Sequence, residues 1–108
     1  MRNEKMKSIT EEIAQFILND EKFKDYRLDT TWTSGESTEV YPVECGYSDS
    51  NNEYYVVVQL DTQKRYWFAK VRSLMKRIKT KFSQCNIEHL VIKYDGSCPN
   101  TLEIYIKE

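Results

Sequence analysis

Tyr54-Tyr55-Val56-Val57-Val58 is the segment that most constrains what this chain can fold into. Five consecutive β-formers, apolar on both faces, place a strand in the middle of a sheet rather than at its rim. The residues before it, Ser48 to Asn52 (SDSNN), form a turn by composition. A strand through Tyr41, Val43 and Cys45 precedes that turn, and Pro42, which cannot donate a ladder hydrogen bond, argues that it is an edge. Further upstream the period is two, with Tyr26, Leu28, Thr30 and Trp32 on one face and Arg27, Asp29, Thr31 and Thr33 on the other. This predicts a half-buried strand ending at the turn Ser34-Gly35. Two last strands, from about Glu88 to Tyr94 and from Thr101 to Lys107, join through Asp95-Gly96-Ser97-Cys98-Pro99-Asn100.

Two segments carry helical periodicity instead. Ile9, Ile13, Phe16 and Ile17 recur behind a capping-box pattern of Ser8 and Glu11, predicting a helix from about Ile9 to about Asn19, with Phe23 and Tyr26 closing over its end. Asp61-Thr62 caps a second, longer helix reaching about Phe82, whose apolar stripe is Trp67, Val71, Leu74, Met75, Ile78 and Phe82. Each helix has a single apolar stripe, so both belong on one face of a sheet. The expected fold is therefore an α+β two-layer sandwich: a mainly antiparallel five-stranded sheet with two helices on one face, in the order α-β-β-β-α-β-β. At 108 residues, with no linker, repeat or low-complexity stretch, residues 1–108 form a single domain.

The arrangement leaves one sheet face without helices. With Leu90, Ile92, Leu102, Ile104 and Ile106 toward the helices, alternation turns His89, Val91, Glu103, Tyr105 and Lys107 outward, joined by Tyr55 and Val57 or their neighbours. Tyr55, His89 and Tyr105 are the candidate contact residues of this surface, which could serve binding or homodimerisation.

The formal charge of −1 conceals two opposite halves. Between Thr62 and Ser83 lie Lys64, Arg65, Lys70, Arg72, Lys76, Arg77, Lys79 and Lys81 with no acid, so this helix carries eight of the sixteen basic residues. From Leu28 to Asp61 the chain has Asp29, Glu36, Glu39, Glu44, Asp49, Glu53 and Asp61, and no Lys or Arg. A helical wheel puts Arg65, Arg72, Lys76 and Lys79 on one flank of the apolar stripe and Lys70, Arg77 and Lys81 on the other. Eight cations without an interleaved acid forgo i,i+4 pairing and repel one another, which marks the helix as a candidate surface for a phosphate backbone or an acidic protein. Domains dedicated to nucleic acid are commonly basic overall, with pI above about 9. This chain has pI ≈ 5.9, which favours a protein partner.

The motifs of catalysis are missing. Cys45, Cys85, His89 and Cys98 are potential zinc ligands, but no CxxC pair is present and Cys45 reads as a buried strand thiol, so no metal and no cofactor is expected. A Cys–His nucleophile pair built on His89 lacks an orienting third group. With Gly35, Gly46 and Gly96 the only glycines, no phosphate-cradling loop can form, and neither HExxH nor GxSxG occurs. The element order resembles that of restriction-endonuclease-like nucleases, whose acid and (Asp/Glu)-x-Lys motif would supply metal and charge. Here the strand reads Val58-Gln59-Leu60-Asp61, and no lysine lies between Lys24 and Lys64. The stretch α-β-β-β-α also resembles the double-stranded RNA-binding domain in topology, with a basic second helix but only Lys64-Arg65 at its start.

Function is thus expected to be non-enzymatic, a small protein-interaction module that binds and modulates or inhibits a larger macromolecule. The alternative is a nucleic-acid-binding module using helix 62–83 on the phosphate backbone, with Arg65, Lys70, Arg72, Lys76, Arg77, Lys79 and Lys81 as contacts. MRNEKMKSIT carries no secretory apolar stretch, the hydrophobic runs are too broken to span a membrane, and three cysteines are an odd, sparse set, so a cytoplasmic location is expected. Abundant Lys, Ile, Tyr and Asn against two alanines is a bias of AT-rich coding DNA, as in low-GC bacteria, their phages and plasmids.

Overall fold

The computed structural model describes residues 4–28, 43–93 and 100–107. Helix α1 spans Glu4–Leu18 and a 3-10 turn spans Lys24–Tyr26; strands β1 (Val43–Ser48) and β2 (Glu53–Leu60) precede helix α2 (Trp67–Lys81), and β3 (Asn86–Ile92) and β4 (Asn100–Lys107) follow it. The four strands form one antiparallel sheet in the order β1-β2-β4-β3.

β2 is central, as its two-faced hydrophobicity requires. Its inward residues Tyr54, Val56, Val58 and Leu60 are buried, as are Leu102, Ile104 and Ile106 on β4, its neighbour. Helix α1 lies over β1, β2 and β4. Its buried residues Met6, Ile9, Thr10, Ile13, Ala14 and Ile17 make one stripe. Helix α2 completes the core with Val71, Leu74, Met75 and Ile78. No helix among the described residues is long and apolar enough to cross a membrane.

Among the described residues the sheet has four strands, against the five expected. Phe23 is fully buried, Tyr26 closes on it with ring centroids 6.3 Å apart, and the Tyr26 amide donates to the Phe23 carbonyl at 2.9 Å. Tyr26, where the period-two pattern predicted the strand to start, thereby closes the 3-10 turn Lys24–Tyr26 instead. Arg27 follows as an isolated antiparallel bridge to Leu60, and its Nη2 donates to the Leu18 carbonyl at the end of α1. The rest of that expected strand (29–33), the turn Ser34-Gly35, Tyr41 and Pro42 lie outside the described residues, as do Tyr94 and the turn residues 95–99 with Cys98.

Both helix starts also differ from expectation. Met6 extends the buried stripe of α1, so the helix begins at Glu4 and leaves Ser8 and Glu11 exposed inside it instead of capping it. α2 begins at Trp67 because Tyr66, at φ 67°, sits in the left-handed region and breaks the helical path ahead of it. Asp61 instead accepts the Gln63 amide in a local turn, and the Thr62 hydroxyl accepts a 2.7 Å bond from Asn100 Nδ2, tying the loop to β4. Trp67, expected at the centre of the buried stripe, is only half-buried, while Leu74 and Ile78 are fully buried.

Truncating Leu74 to Ala is expected to destabilise the domain by roughly 2–5 kcal/mol in denaturant unfolding. A loss within about 0.5 kcal/mol would place this helix face outside the core.

Candidate functional site

Register decides what the uncovered sheet face presents. Directly paired residues share a face, and the pairs Tyr55 with Tyr105, Val57 with Glu103, and Gln59 with Thr101 run outward across the central strands. β3 contributes Glu88 opposite Tyr105, Leu90 opposite Glu103 and Ile92 opposite Thr101. β1 contributes Gly46 beside Tyr55 and Glu44 beside Val57. The result is an apolar and aromatic centre of Tyr55, Val57, Tyr105, Leu90 and Ile92. Around it stand Glu44, Glu53 and Glu88, while Glu103 lies within it between Val57 and Leu90, with Lys107 the sole cation on the strands of this face among the described residues.

Two contacts order this centre. The Tyr55 ring lies across β1 at Gly46: a Cβ there would stand 2.6 Å from the Tyr55 hydroxyl oxygen and 2.9 Å from Cζ, so any larger residue would push the ring away. Tyr105 Oη donates to the Glu103 carboxylate in a short hydrogen bond. That bond, with desolvation and the charges of Glu103 and Glu53, pushes the phenol up to about 12. Lys107 Nζ donates to Glu88 Oε2 at 3.0 Å, which raises the lysine above its ordinary value.

His89 is not on this face. It pairs with Ile104, whose side chain is fully buried on the helix side, so β3 turns Ile87, His89 and Val91 inward and Leu90 and Ile92 outward, the reverse of expectation. Leu90 is 45% exposed and Ile87 only 6%. A three-residue apolar run, Leu90-Val91-Ile92, is ambiguous in parity; Ile87, which starts the buried set one turn of the pleat earlier, resolves it.

On the helix side His89 meets α2. With Arg72, Met75, Lys76, Lys79 and Thr80 it lines a groove of about 380 Å³. Desolvation and the Lys79 charge both hold the imidazole below its ordinary value.

The cations of α2 divide into two sets. On the flank toward α1, Arg77 pairs with the Asp20 carboxylate, Lys81 Nζ lies 5.3 Å from the Phe16 ring centroid, and Lys70 Nζ lies 5.6 Å from that of Tyr26. Arg77 and Lys81 share the cleft between the helices, about 710 Å³, with Glu11, Glu12, Asp20 and Glu21. Arg65 precedes the helix and stacks on Tyr66 at 4.9 Å. Arg72, Lys76 and Lys79, on the flank toward β3, are exposed and pair with no acid among the described residues.

The cysteines do not gather. Cys45 is exposed on edge strand β1, contrary to the buried thiol expected, because α1 leaves a cleft beside it lined by Lys7, Thr10, Glu11 and Tyr47. Its thiol is raised by desolvation and then by Glu11, and that of half-buried Cys85 by desolvation. β1 and β3 are opposite edges of the sheet, so Cys45 and His89 stand about 14 Å apart. Among the described residues no group of three or more His, Cys, Asp or Glu could hold a metal ion.

Comparison of this chain with protein-family models, with curated proteins and with solved structures finds no match.

His89 is expected to titrate below 6.5 by NMR, and Lys79→Gln to move that midpoint upward while burial keeps it under 6.5. The group binds its proton less readily in the folded chain. Its contribution to stability is therefore full above 6.5 and lost as pH falls through the folded midpoint. A midpoint at or above 6.5 in the unmodified protein would remove His89 from the cationic groove.

Proposed function

We propose that this protein is a non-enzymatic interaction module whose outer sheet face docks on a basic surface of a larger protein partner and so blocks or modulates what that surface does. The observation that carries this reading is the composition of the face among the described residues: two cross-strand tyrosines, Tyr55 and Tyr105, beside Val57 and Leu90, with Glu44, Glu53 and Glu88 around them and Glu103 between Val57 and Leu90, against one lysine. Neither helix lies on it.

An aromatic centre with a charged rim is the usual anatomy of a protein interface. Tyrosine contributes large contact area with few rotatable bonds, and the rim charges select the sign of the partner and steer its approach. Glutamates covering a basic surface compete with whatever anion that surface ordinarily takes. Pairing two copies of this face would set like charges against each other, which disfavours the homodimer. The acids of α1 are poorer candidates, because Arg77 and Lys81 already balance them across the cleft.

A Lys- and Arg-rich peptide of about fifteen residues serves as the probe, followed by amide chemical-shift mapping. The expected shifts cluster on Tyr55, Val57, Leu90, Glu103 and Tyr105, and a Glu44→Gln/Glu88→Gln/Glu103→Gln variant loses affinity about tenfold or more. Shifts confined to Glu11, Glu12, Asp20 and Glu21, or an unchanged affinity in the variant, would contradict the assignment.

A further inference from the structure

We propose that the groove between α2 and β3 is a second, separate binding site, one that holds the phosphate backbone of a nucleic acid on Arg72, Lys76 and Lys79, with His89 at its wall. This site uses none of the residues of the outer sheet face.

The first support is the division of the cations. Those on the α1 flank are engaged within the molecule, by an ion pair at Arg77 and by aromatic rings at Lys70 and Lys81. Arg72, Lys76 and Lys79 have no acid to neutralise them among the described residues, although the chain carries more acidic than basic residues. Three like charges on successive turns repel one another, and the fold places His89 in the same groove beside them. A neutral polar flank would be more stable, so the arrangement fits an external anion.

The second support is its shape. Positions 72, 76 and 79 share one flank, and the rise from the first to the last is about 10 Å. One nucleic-acid strand advances about 3.4 Å per phosphate along its axis, so this length faces about three phosphates. A linear row of cations suits a linear polyanion better than a single phosphate. Thr80 Oγ1 is turned back to the Lys76 carbonyl at 2.9 Å, leaving the three cations and the imidazole as the groove's polar lining. The acids of the sheet lie on the opposite face: Glu44, Glu53, Glu88 and Glu103 all point away from the helix layer. The pI of ≈ 5.9 therefore describes the whole chain and not this flank.

The test is fluorescence anisotropy of labelled single- and double-stranded oligonucleotides across salt, with NMR of His89, the chain's one histidine. Three phosphate contacts predict a log–log salt slope of about −2.7 on duplex and about −2 on single strands, so affinity for duplex falls about 40-fold from 50 to 200 mM salt. The oligonucleotide moves the His89 resonance and raises its midpoint. Arg72→Gln/Lys76→Gln/Lys79→Gln abolishes binding at 50 mM salt and flattens the slope, while Lys7→Gln/Lys22→Gln/Lys24→Gln, with the same change in net charge, retains it. A preserved thermal midpoint shows that the groove variant folds. Four results would each overturn the proposal: no binding at 50 mM salt, equal losses in the two triple variants, displacement by millimolar inorganic phosphate, or equal competition by polyglutamate. The last would reassign the groove to an acidic protein segment.

Discussion

Pairing of β2 with β4 is the interaction on which the rest of the structure depends. The two strands hold Val56, Val58, Leu102 and Ile104 fully buried on one side and Tyr55, Val57, Glu103 and Tyr105 on the other. Both helices need the inner row, since each has only one apolar stripe to bury. The outer aromatic centre is the necessary reverse of the same register: a slip by one residue would exchange the two faces and destroy the core and the docking surface together.

The charge distribution follows from that layering. Acids occupy the outer face of the sheet, where Tyr105 and Lys107 satisfy Glu103 and Glu88. Between the layers' helices, Arg77 meets Asp20 close to the end of α1, a contact that joins α1 to α2. What remains unbalanced is one flank of α2 and the rim of the outer face. These two surfaces point in opposite directions and carry opposite signs, so a chain with net charge near zero presents two strong local fields.

Much of this was legible from the residues. The two-faced Tyr54–Val58 run specified a central strand, the alternation in Thr101–Lys107 a strand buried on one face, and the 3.6-residue spacing of Val71, Leu74, Met75 and Ile78 the buried face of α2, while the strand order was not legible. The outward side of Tyr105 followed from alternation, whereas the two-faced Tyr54–Val58 run left Tyr55 or its neighbour open until the register with Tyr105 set it. Local patterning failed at element starts, where burial of Phe23 and the left-handed backbone of Tyr66 outweighed it. Phe23 drew Tyr26 out of its apparent strand, and Tyr66 stopped α2 short of the Asp61-Thr62 cap. The parity of β3 was lost because Leu90-Val91-Ile92 fits either face; only Ile87 opposite Ile106 sets it. That error moved His89 from the docking surface to the cationic groove. The helical wheel separated Arg72, Lys76 and Lys79 from Lys70, Arg77 and Lys81, but which flank would be engaged could not be foreseen, since it depends on which meets Asp20, Phe16 and Tyr26.

Both proposed surfaces rest on the orientation of β3, which nuclear Overhauser contacts of the single imidazole test directly. Cross-peaks from the His89 ring to protons of Met75, Lys79 and Thr80 are predicted, because those residues line one groove with it. Cross-peaks from His89 to the Tyr105 ring, with Leu90 and Ile92 against α2 instead, would contradict the register and both surfaces built on it.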